Sequence, residues 1–394
     1  MSGRETSIDD FLIAHGGAFY ELQKRLRLLH DRALRSGPRA LLFVALAWGV
    51  PLLLSVLAGH AFGPFADRPY LLSLGVWARF LIAVAIFVLM ERQVEERLRA
   101  FLRHFVRAPL LAPVSFAPAA EAVTQALRRR DSLTAELVCF GLACGVTIIS
   151  AFNMLDIHAS SWAVHSSAEA KAFTAAGWWS LIVSSPIFWF LLFRWLWRLL
   201  VWSLLLRALA RLELRLVATH PDGYGGLAFI GRYPNAYAAF VFAISCVVGA
   251  ALAEALLKGA IAAATYGYVM VAWLAIVFIL LAFPLHAFSR VLSELREQTL
   301  LVSSAQATQY HRAVERGVLG RNISASDDAE SVPAADIADP DKTFSAAKSI
   351  STLLFSRSAL LPVSAAALIP LVAGGATQLP MKELMTIVKR LLVL

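Results

Sequence analysis

The chain has 394 residues, of which 59% are hydrophobic and 16% charged, and its mean hydropathy is +0.66. Soluble domains carry about a quarter charged residues, so this composition excludes an ordinary water-soluble protein. The net charge is +9, but the basic residues lie beside apolar runs instead of forming a basic region of their own, and we expect no nucleic-acid partner. The composition predicts an all-α polytopic membrane protein whose main partner is the lipid bilayer.

The N-terminal segment, residues 1–38, is polar, and apolar positions recur at helical spacing between residues 7 and 35. This pattern predicts an amphipathic helix along the cytoplasmic membrane interface. The first apolar run begins only at Ala40, so the segment does not resemble a cleavable signal peptide. We expect that run to remain in the membrane as an anchor.

Six apolar runs follow within residues 39–286, and each is close to the length that crosses a hydrocarbon core about 30 Å thick. They predict a six-helix transmembrane domain with intervening loops at 91–132 and 207–236. The runs lie at residues 40–59, 70–90, 133–153, 178–197, 237–257 and 266–286.

The distribution of Lys and Arg between the runs predicts how the chain is oriented. Cytoplasmic loops of membrane proteins carry an excess of these residues. We therefore expect the N-terminus and the loops at 91–132 and 207–236 to lie in the cytoplasm of a bacterial inner membrane. Seven Lys and Arg lie in residues 1–39, eight in 91–132 and four in 207–236, against one in each of 60–69, 154–177 and 258–265.

Residues 287–346 follow the sixth run and are more polar. Apolar and charged positions alternate at helical spacing over 287–318, which predicts a cytoplasmic helix. Residues 320–346 hold six acidic residues, two prolines and few large apolar groups, which predicts a mobile linker. From this large cytoplasmic surface we expect a homo-oligomer and a cytosolic protein partner.

The C-terminal segment, residues 347–394, contains a seventh candidate span at 358–377. It holds Pro362 and Pro370, which a membrane helix tolerates when neighbouring helices satisfy the freed carbonyl groups. A re-entrant hairpin is the alternative, since a full span would place the basic C-terminus outside. A short interfacial helix is predicted after Pro380.

A glycine-rich stretch follows the fourth run and contains His220, Pro221, Asp222, Gly225 and Gly226. Glycines let the backbone adopt positive φ and approach another group closely. One interpretation is that successive N–H groups bind a phosphate or carboxylate. The other, which we favour, is a tight turn that returns the chain to the membrane, because the stretch lacks the Gly-Lys-Ser/Thr ending of a phosphate loop.

The same stretch, HPDGYGGLAF, together with a proline-interrupted C-terminal run followed by TQLPMKELMTIVKRLL, resembles a family of uncharacterised bacterial multi-pass membrane proteins marked by an HPD-x-x-GGL-x-F motif. The resemblance implies a membrane fold and carries over no activity, ligand or residue role. The motif positions are occupied by His220, Pro221, Asp222, Gly225, Gly226, Leu227 and Phe229.

Arg194 and Arg198 lie four residues apart, on one face of the fourth helix, in an apolar run that continues past both of them. If the run is centred in the bilayer, both arginines are intramembrane and are candidates for an anion path. If the span ends near Trp197, they extend to cytoplasmic headgroups beside tryptophans. We favour the second interpretation.

Arg79 lies near the middle of the predicted second span, where a charge costs at least about 2.5 kcal/mol on insertion scales. It should have an acidic partner. Glu254 in the fifth span lies about 9 Å away in depth at a rise of ~1.5 Å per residue, and Glu136 in the third span is the other candidate. A structural ion pair and a role in conduction are both consistent with such a pair.

The sequence offers no catalytic group, metal site or cofactor motif. Glu95 and Glu96 lie among arginines in a predicted helix and are expected to be solvated. His60, His158 and His165 are scattered without ligand spacing. The leading functional hypothesis is passage of a small ion or solute, tested at Arg79, Arg194 and Arg198; the alternative is a membrane scaffold or signalling subunit, and an intramembrane enzyme is third.

Overall fold

The structure is a computed structural model, and its described part confirms an all-α polytopic membrane protein. Seven of the described helices are long and apolar enough to cross a membrane, and the strands in this part of the chain form one short hairpin. The prediction of six core spans and a seventh is therefore confirmed. The described residues are 16–25, 36–62, 69–156, 161–166, 171–325, 340–355 and 357–377.

The transmembrane helices are α2, α3, α5, α6, α7, α8 and α11, and the remaining helices lie outside the spans. A 3-10 helix, Ile230–Tyr237, leads directly into α7. The elements are α1 (Ala18–Arg25), α2 (Ser36–Leu57), α3 (Leu74–Arg107), α4 (Phe116–Arg130), α5 (Leu133–Asp156), β1 (Val164–Ser166), β2 (Lys171–Phe173), α6 (Ala175–Ala210), α7 (Ala238–Leu257), α8 (Ala263–Ala282), α9 (Ser289–Leu319), α10 (Asp341–Ser349) and α11 (Arg357–Gly375).

Successive spans run in opposite directions, which gives the bundle two ends of different character. The antiparallel pair β1–β2 connects α5 to α6 at one end, which we call the hairpin end. At the other end, α4 packs on α6, and α9 packs on α10. We call this the basic end because it carries most of the loop arginines.

The second and fourth spans extend beyond their apolar runs. We predicted a loop from residue 91, but α3 continues without a break to Arg107. The reason is amphipathicity: Val94, Leu98 and Leu102 recur every four residues and are buried, while most charged side chains occupy the other face. Hydropathy detects only the part of a helix that is apolar on every face, so it misses an amphipathic extension of this kind. The expectation that Glu95 is solvated is wrong, because it is 5% exposed and pairs with Arg99 at 3.3 Å.

Other predicted segments are described only in part. Within the predicted N-terminal helix, residues 18–25 are helical and the rest lies outside the described residues. The predicted linker, residues 320–346, overlaps the start of helix α10, while residues 326–339 lie outside the described part. The predicted C-terminal interfacial helix lies outside it as well. The seventh candidate span is one uninterrupted helix, so a re-entrant hairpin is excluded.

Three transmembrane helices contain π-helical segments that pack against one another. The segments lie at Ala45–Gly49 in α2, Trp77–Ala83 in α3 and Ser180–Ser184 in α6, and the first contacts the other two. In α2 the cause is a proline: Val50 donates to Ala45, Pro51 has no N–H to donate, and the Leu46 carbonyl is left without a helical partner. The indole of Trp179 in α6 donates to that carbonyl at 2.9 Å.

The seventh span, α11, packs so closely against α7 that the two backbones are in contact. A β-carbon added to Gly249 would lie 2.7 Å from the Pro370 carbonyl oxygen, and one added to Gly374 would lie 2.7 Å from the Gly249 oxygen. The Tyr266 hydroxyl donates to the carbonyl of Leu371, the residue after Pro370. This small-residue contact is how transmembrane helices associate when lipid is as apolar as the side chains.

This contact makes Gly249→Ala destabilising although alanine is the better helix former. The added methyl group meets a backbone oxygen that cannot move aside, so we expect a loss of about 1–3 kcal/mol in the free energy of unfolding. Gly145→Ala is the matched control, because nothing lies within 4 Å of its added β-carbon; it should stabilise by roughly 0.5–1 kcal/mol. The measurement is thermal unfolding in detergent, and equal midpoints for the two variants would contradict the contact.

Candidate functional site

A buried carboxylate at the basic end binds three arginines. Glu91 in α3 is 2% exposed. Its Oε2 accepts from Arg39 at 2.8 Å, and its Oε1 lies 3.0 Å from Arg198 and 3.3 Å from Arg194. These contacts join α2, α3 and α6. Together with Glu136, these residues form what we call the charge cluster.

Glu136 extends the cluster to α5 and to the N-terminal segment. Its Oε1 lies 3.6 Å from Arg194 Nε, and its Oε2 accepts the Phe19 backbone N–H at 2.9 Å, at the start of α1. Arg194 also donates to the Gly16 carbonyl at 3.4 Å. A β-carbon on Gly17 would lie 2.3 Å from Glu136 Oε1, and the residue has φ of 89°. Glycine is therefore required where the N-terminal segment closes the cluster.

The expectation that Arg194 and Arg198 extend to headgroups is wrong. They are 6% and 2% exposed and point into the bundle, because Glu91 offers them an ion pair there. Glu136 is also not a partner of Arg79, since it lies at the opposite end from that residue. We did not single out Glu91 in the sequence. The sequence feature that could have identified it is its position, one residue beyond the predicted second span, where a carboxylate is still close to the membrane.

Arg79 lies at the other end of the same helix, in a cavity of about 260 Å³. It is in the second turn of α3, nearer the hairpin end than the mid-membrane position that we predicted, because the helix begins at Leu74 and runs beyond the apolar segment. Arg79 and Glu254 both line the cavity, as does Lys258, which is exposed and marks where the cavity meets the surface.

Arg79 has no hydrogen bond or ion pair with any residue in the described part of the chain. Glu254, the partner that we expected, is held elsewhere: its Oε1 accepts the Gly75 N–H at 2.8 Å, at the first turn of α3. An unpaired N–H at a helix N-terminus and the helix dipole both favour a carboxylate there. Arg79 and Glu254 thus line one cavity and interact electrostatically, but they form no hydrogen bond or close ion pair.

A layer of aromatic side chains separates the cavity from the charge cluster. Phe87 in α3 packs against Phe188 and Phe240 with ring centroids 6.1 and 5.6 Å apart, and Trp195 donates its indole N–H to the Phe87 carbonyl at 2.9 Å. All four residues are buried. The described residues thus place polar groups at two levels of the bundle, with packed aromatic side chains between them.

The glycine-rich stretch forms a turn around Asp222. The Asp222 carboxylate accepts the backbone N–H groups of Tyr224, Gly226 and Ala228 at 2.9 to 3.1 Å. These N–H groups are the ones that a bound anion would need, so their use by Asp222 favours the turn interpretation. Gly225 and Gly226 have φ of 64° and 102°, as such a turn requires.

The electrostatics of Asp222 follow from these contacts. Partial burial would raise the pKa of this carboxyl, but the N–H groups of Tyr224, Ala228 and Gly226 and the side chain of His220 outweigh it, so the pKa is lowered. His220 Nδ1 lies 2.8 Å from the carboxylate. Pro221 lies between them in the turn. None of these residues faces the cavity or the charge cluster.

Replacing Glu91 tests the charge cluster. Glu91→Gln leaves three buried guanidinium groups with too little negative charge, and we expect a loss of about 3–5 kcal/mol in the free energy of unfolding. Glu96→Gln is the matched control: this residue pairs with Arg92 on the surface, is 62% exposed, and should leave the unfolding midpoint unchanged. Equal midpoints for both variants in detergent would show that the cluster does not stabilise the fold.

The pH dependence of Asp222→Asn tests the turn. A carboxyl whose folded-state pKa lies below the unfolded value, about 3.9, stabilises the fold above that pH and loses this effect as the pH falls through the folded-state pKa. Wild type should therefore exceed Asp222→Asn in thermal stability at pH 7, and the difference should shrink below about pH 4. Glu297→Gln, an exposed site on α9, should show no such trend. A difference that grows on acidification would contradict the assignment.

No protein-family model matches the chain, and no curated protein or solved structure is similar to it. The family resemblance of the HPD motif therefore stays a prediction, and the arguments for function rest on the sites themselves.

Proposed function

We propose that this integral membrane protein passes a small ion or solute across the membrane, with the cavity at Arg79 as its entrance. The observation that supports this most strongly is an arginine inside an apolar bundle, in a cavity, with no hydrogen bond or close ion pair to any of the described residues. A charge in a membrane helix is costly and is usually kept for a pathway or a ligand. A purely structural role would pair Arg79 with Glu254, but that carboxylate is bonded to Gly75.

The rest of the bundle has the layout of a pathway in its closed state. The cavity opens at the hairpin end, the aromatic layer blocks it, and the charge cluster lies beyond that layer on the same two helices. Arg79 and Glu91 are twelve residues apart in α3, which is roughly 18 Å along the axis. Passage would require α3 and α6 to separate at the aromatic layer. By the distribution of Lys and Arg, the hairpin end faces outward from a bacterial inner membrane and the N-terminus is cytoplasmic.

A membrane scaffold is the second candidate, and one observation favours it. Helix α9, outside the spans, exposes Leu301, Val302, Val318 and Leu319, which are 55% to 76% exposed. Exposed apolar side chains on a helix outside the bilayer favour contact with another protein or with a second copy of the chain. This surface is compatible with transport as well, so the flux measurement decides between the two candidates.

The test is flux into liposomes that contain the purified protein, measured for K⁺, chloride, acetate, inorganic phosphate and glycerol. We expect one or more of these to cross faster than in protein-free liposomes, and Arg79→Gln to reduce that flux by about tenfold or more, the effect of losing one charge-assisted contact. Arg128→Gln is the matched control, because this arginine is exposed on α4 at the opposite end.

The outcome is decided by two comparisons. Absence of flux for every probe under an applied potential would overturn the proposal and leave the scaffold. Flux that is equal in wild type and Arg79→Gln would show that the cavity is not the entrance. The α9 surface has its own control: Leu301→Gln should leave flux unchanged if that surface only contacts a partner.

A further inference from the structure

We propose that the cavity at Arg79 binds a small oxyanion, a carboxylate or phosphate group, between the Arg79 guanidinium and the Ser180 hydroxyl. This inference deepens the proposed function by naming the chemical class of the ligand. It is supported by four features of the cavity: its charge balance, an unpaired hydroxyl, the helix geometry and its size.

The charged groups of the cavity leave an excess of positive charge. Among the described residues, three charged side chains line it: Arg79, Lys258 and Glu254. The carboxylate of Glu254 is already compensated by the Gly75 N–H and by the N-terminal dipole of α3. Arg79 feels the charge of Glu254 only at a distance and has no hydrogen bond or close ion pair in the described part of the chain. An anion is the ligand that would supply a close partner, and a guanidinium binds two oxygens of one anion in its fork geometry.

Ser180 offers a second contact from the opposite helix. The residue lines the cavity and is 6% exposed, and its buried hydroxyl has no hydrogen-bond partner among the described residues. The neighbouring hydroxyls are engaged: Ser150 donates to the Val146 carbonyl, and Ser185 accepts from Thr147. A buried hydroxyl left unpaired costs free energy. A ligand oxygen beside Arg79 and Ser180 would satisfy both groups.

The two contact residues lie where the helices depart from regular geometry. Arg79 is within the π segment of α3, and Ser180 begins that of α6. Such segments occur frequently at functional sites. Both helices also begin near the cavity, at Leu74 and Ala175, so the positive ends of two long helix dipoles point toward it. These dipoles add to the charge of Arg79 and do not favour a cation.

The size of the cavity limits the ligand. A volume of about 260 Å³ holds a small anion together with a few water molecules, each of which occupies about 30 Å³ of liquid. Acetate and inorganic phosphate fit within it. A lipid could place only its phosphate group inside, with the acyl chains remaining in the bilayer.

The test measures binding to purified protein in a maltoside detergent, which carries no charge, by thermal unfolding at constant ionic strength in chloride. Acetate and inorganic phosphate should raise the unfolding midpoint with concentration, as a ligand of the folded state does. Acetamide, which has the shape of acetate without its charge, and tetramethylammonium should not. Equal effects of acetate and acetamide, or stabilisation by the cation, would overturn the proposal.

Binding measurements on variants test whether the anion contacts Arg79 and Ser180. Arg79→Gln should weaken the apparent affinity by roughly tenfold or more, and Ser180→Ala by about two- to tenfold, as expected for a charged and a neutral contact. Arg128→Gln should bind as wild type does. Ser180→Ala removes a single oxygen and keeps the test valid if Arg79→Gln does not fold. Wild-type affinity in both variants would overturn the assignment.

Two further experiments identify the source of the ligand and distinguish a failure of this inference from a failure of the proposed function. Competition between inorganic phosphate and dihexanoyl phosphatidic acid at Arg79 would assign the site to a lipid headgroup, whereas phosphate binding without competition would assign it to a free anion. Both outcomes support an oxyanion site. Binding without flux in liposomes would retain this inference and remove the transport proposal, and flux of another solute without anion binding would do the reverse.

Discussion

The ion pairs of Glu91 are the interaction on which the basic end of the bundle depends. One carboxylate, buried among helices, binds arginines from α2 and α6 and thereby fixes how these helices lie against α3. A charge withdrawn from water is costly unless its partners hold it closely. No one of these helices can slide along its neighbours without leaving a buried charge unpaired. The depth of three spans is therefore set by a single residue.

The seventh span is held by a different means. It contributes no residue to the charge cluster and meets α7 through glycines that allow the two backbones to touch. Pro370 lacks the N–H that would bond to the Ala366 carbonyl, and the hydroxyl of Tyr266 donates to the carbonyl of Leu371, the residue after Pro370. The bundle thus combines ion pairing at one end with close backbone packing along its side. Both replace the hydrophobic effect, which lipid does not provide between spans.

Hydropathy predicted the helix-forming segments well because the bilayer imposes the same requirement on every span: length and an apolar surface. It was less informative about polar contacts. Arg79 and Glu254 were identifiable as intramembrane charges, but the bond from Gly75 to Glu254 depends on where α3 begins, at Leu74. Glu91 was missed because it follows the apolar run, inside a helical extension whose buried face only the fold reveals.

The π segments change which residues of a span face the same neighbour. A π turn accommodates one residue more than an α turn, and in an α-helix each residue is rotated by about 100° from the last. Residues on the two sides of Trp77–Ala83 are therefore out of phase with a regular helix. Removal of one residue from this segment would restore a regular helix and turn Gly75 and everything before it to another face. The hydrogen bond from Gly75 to Glu254 thus depends on the number of residues in the π segment as much as on the identity of either residue.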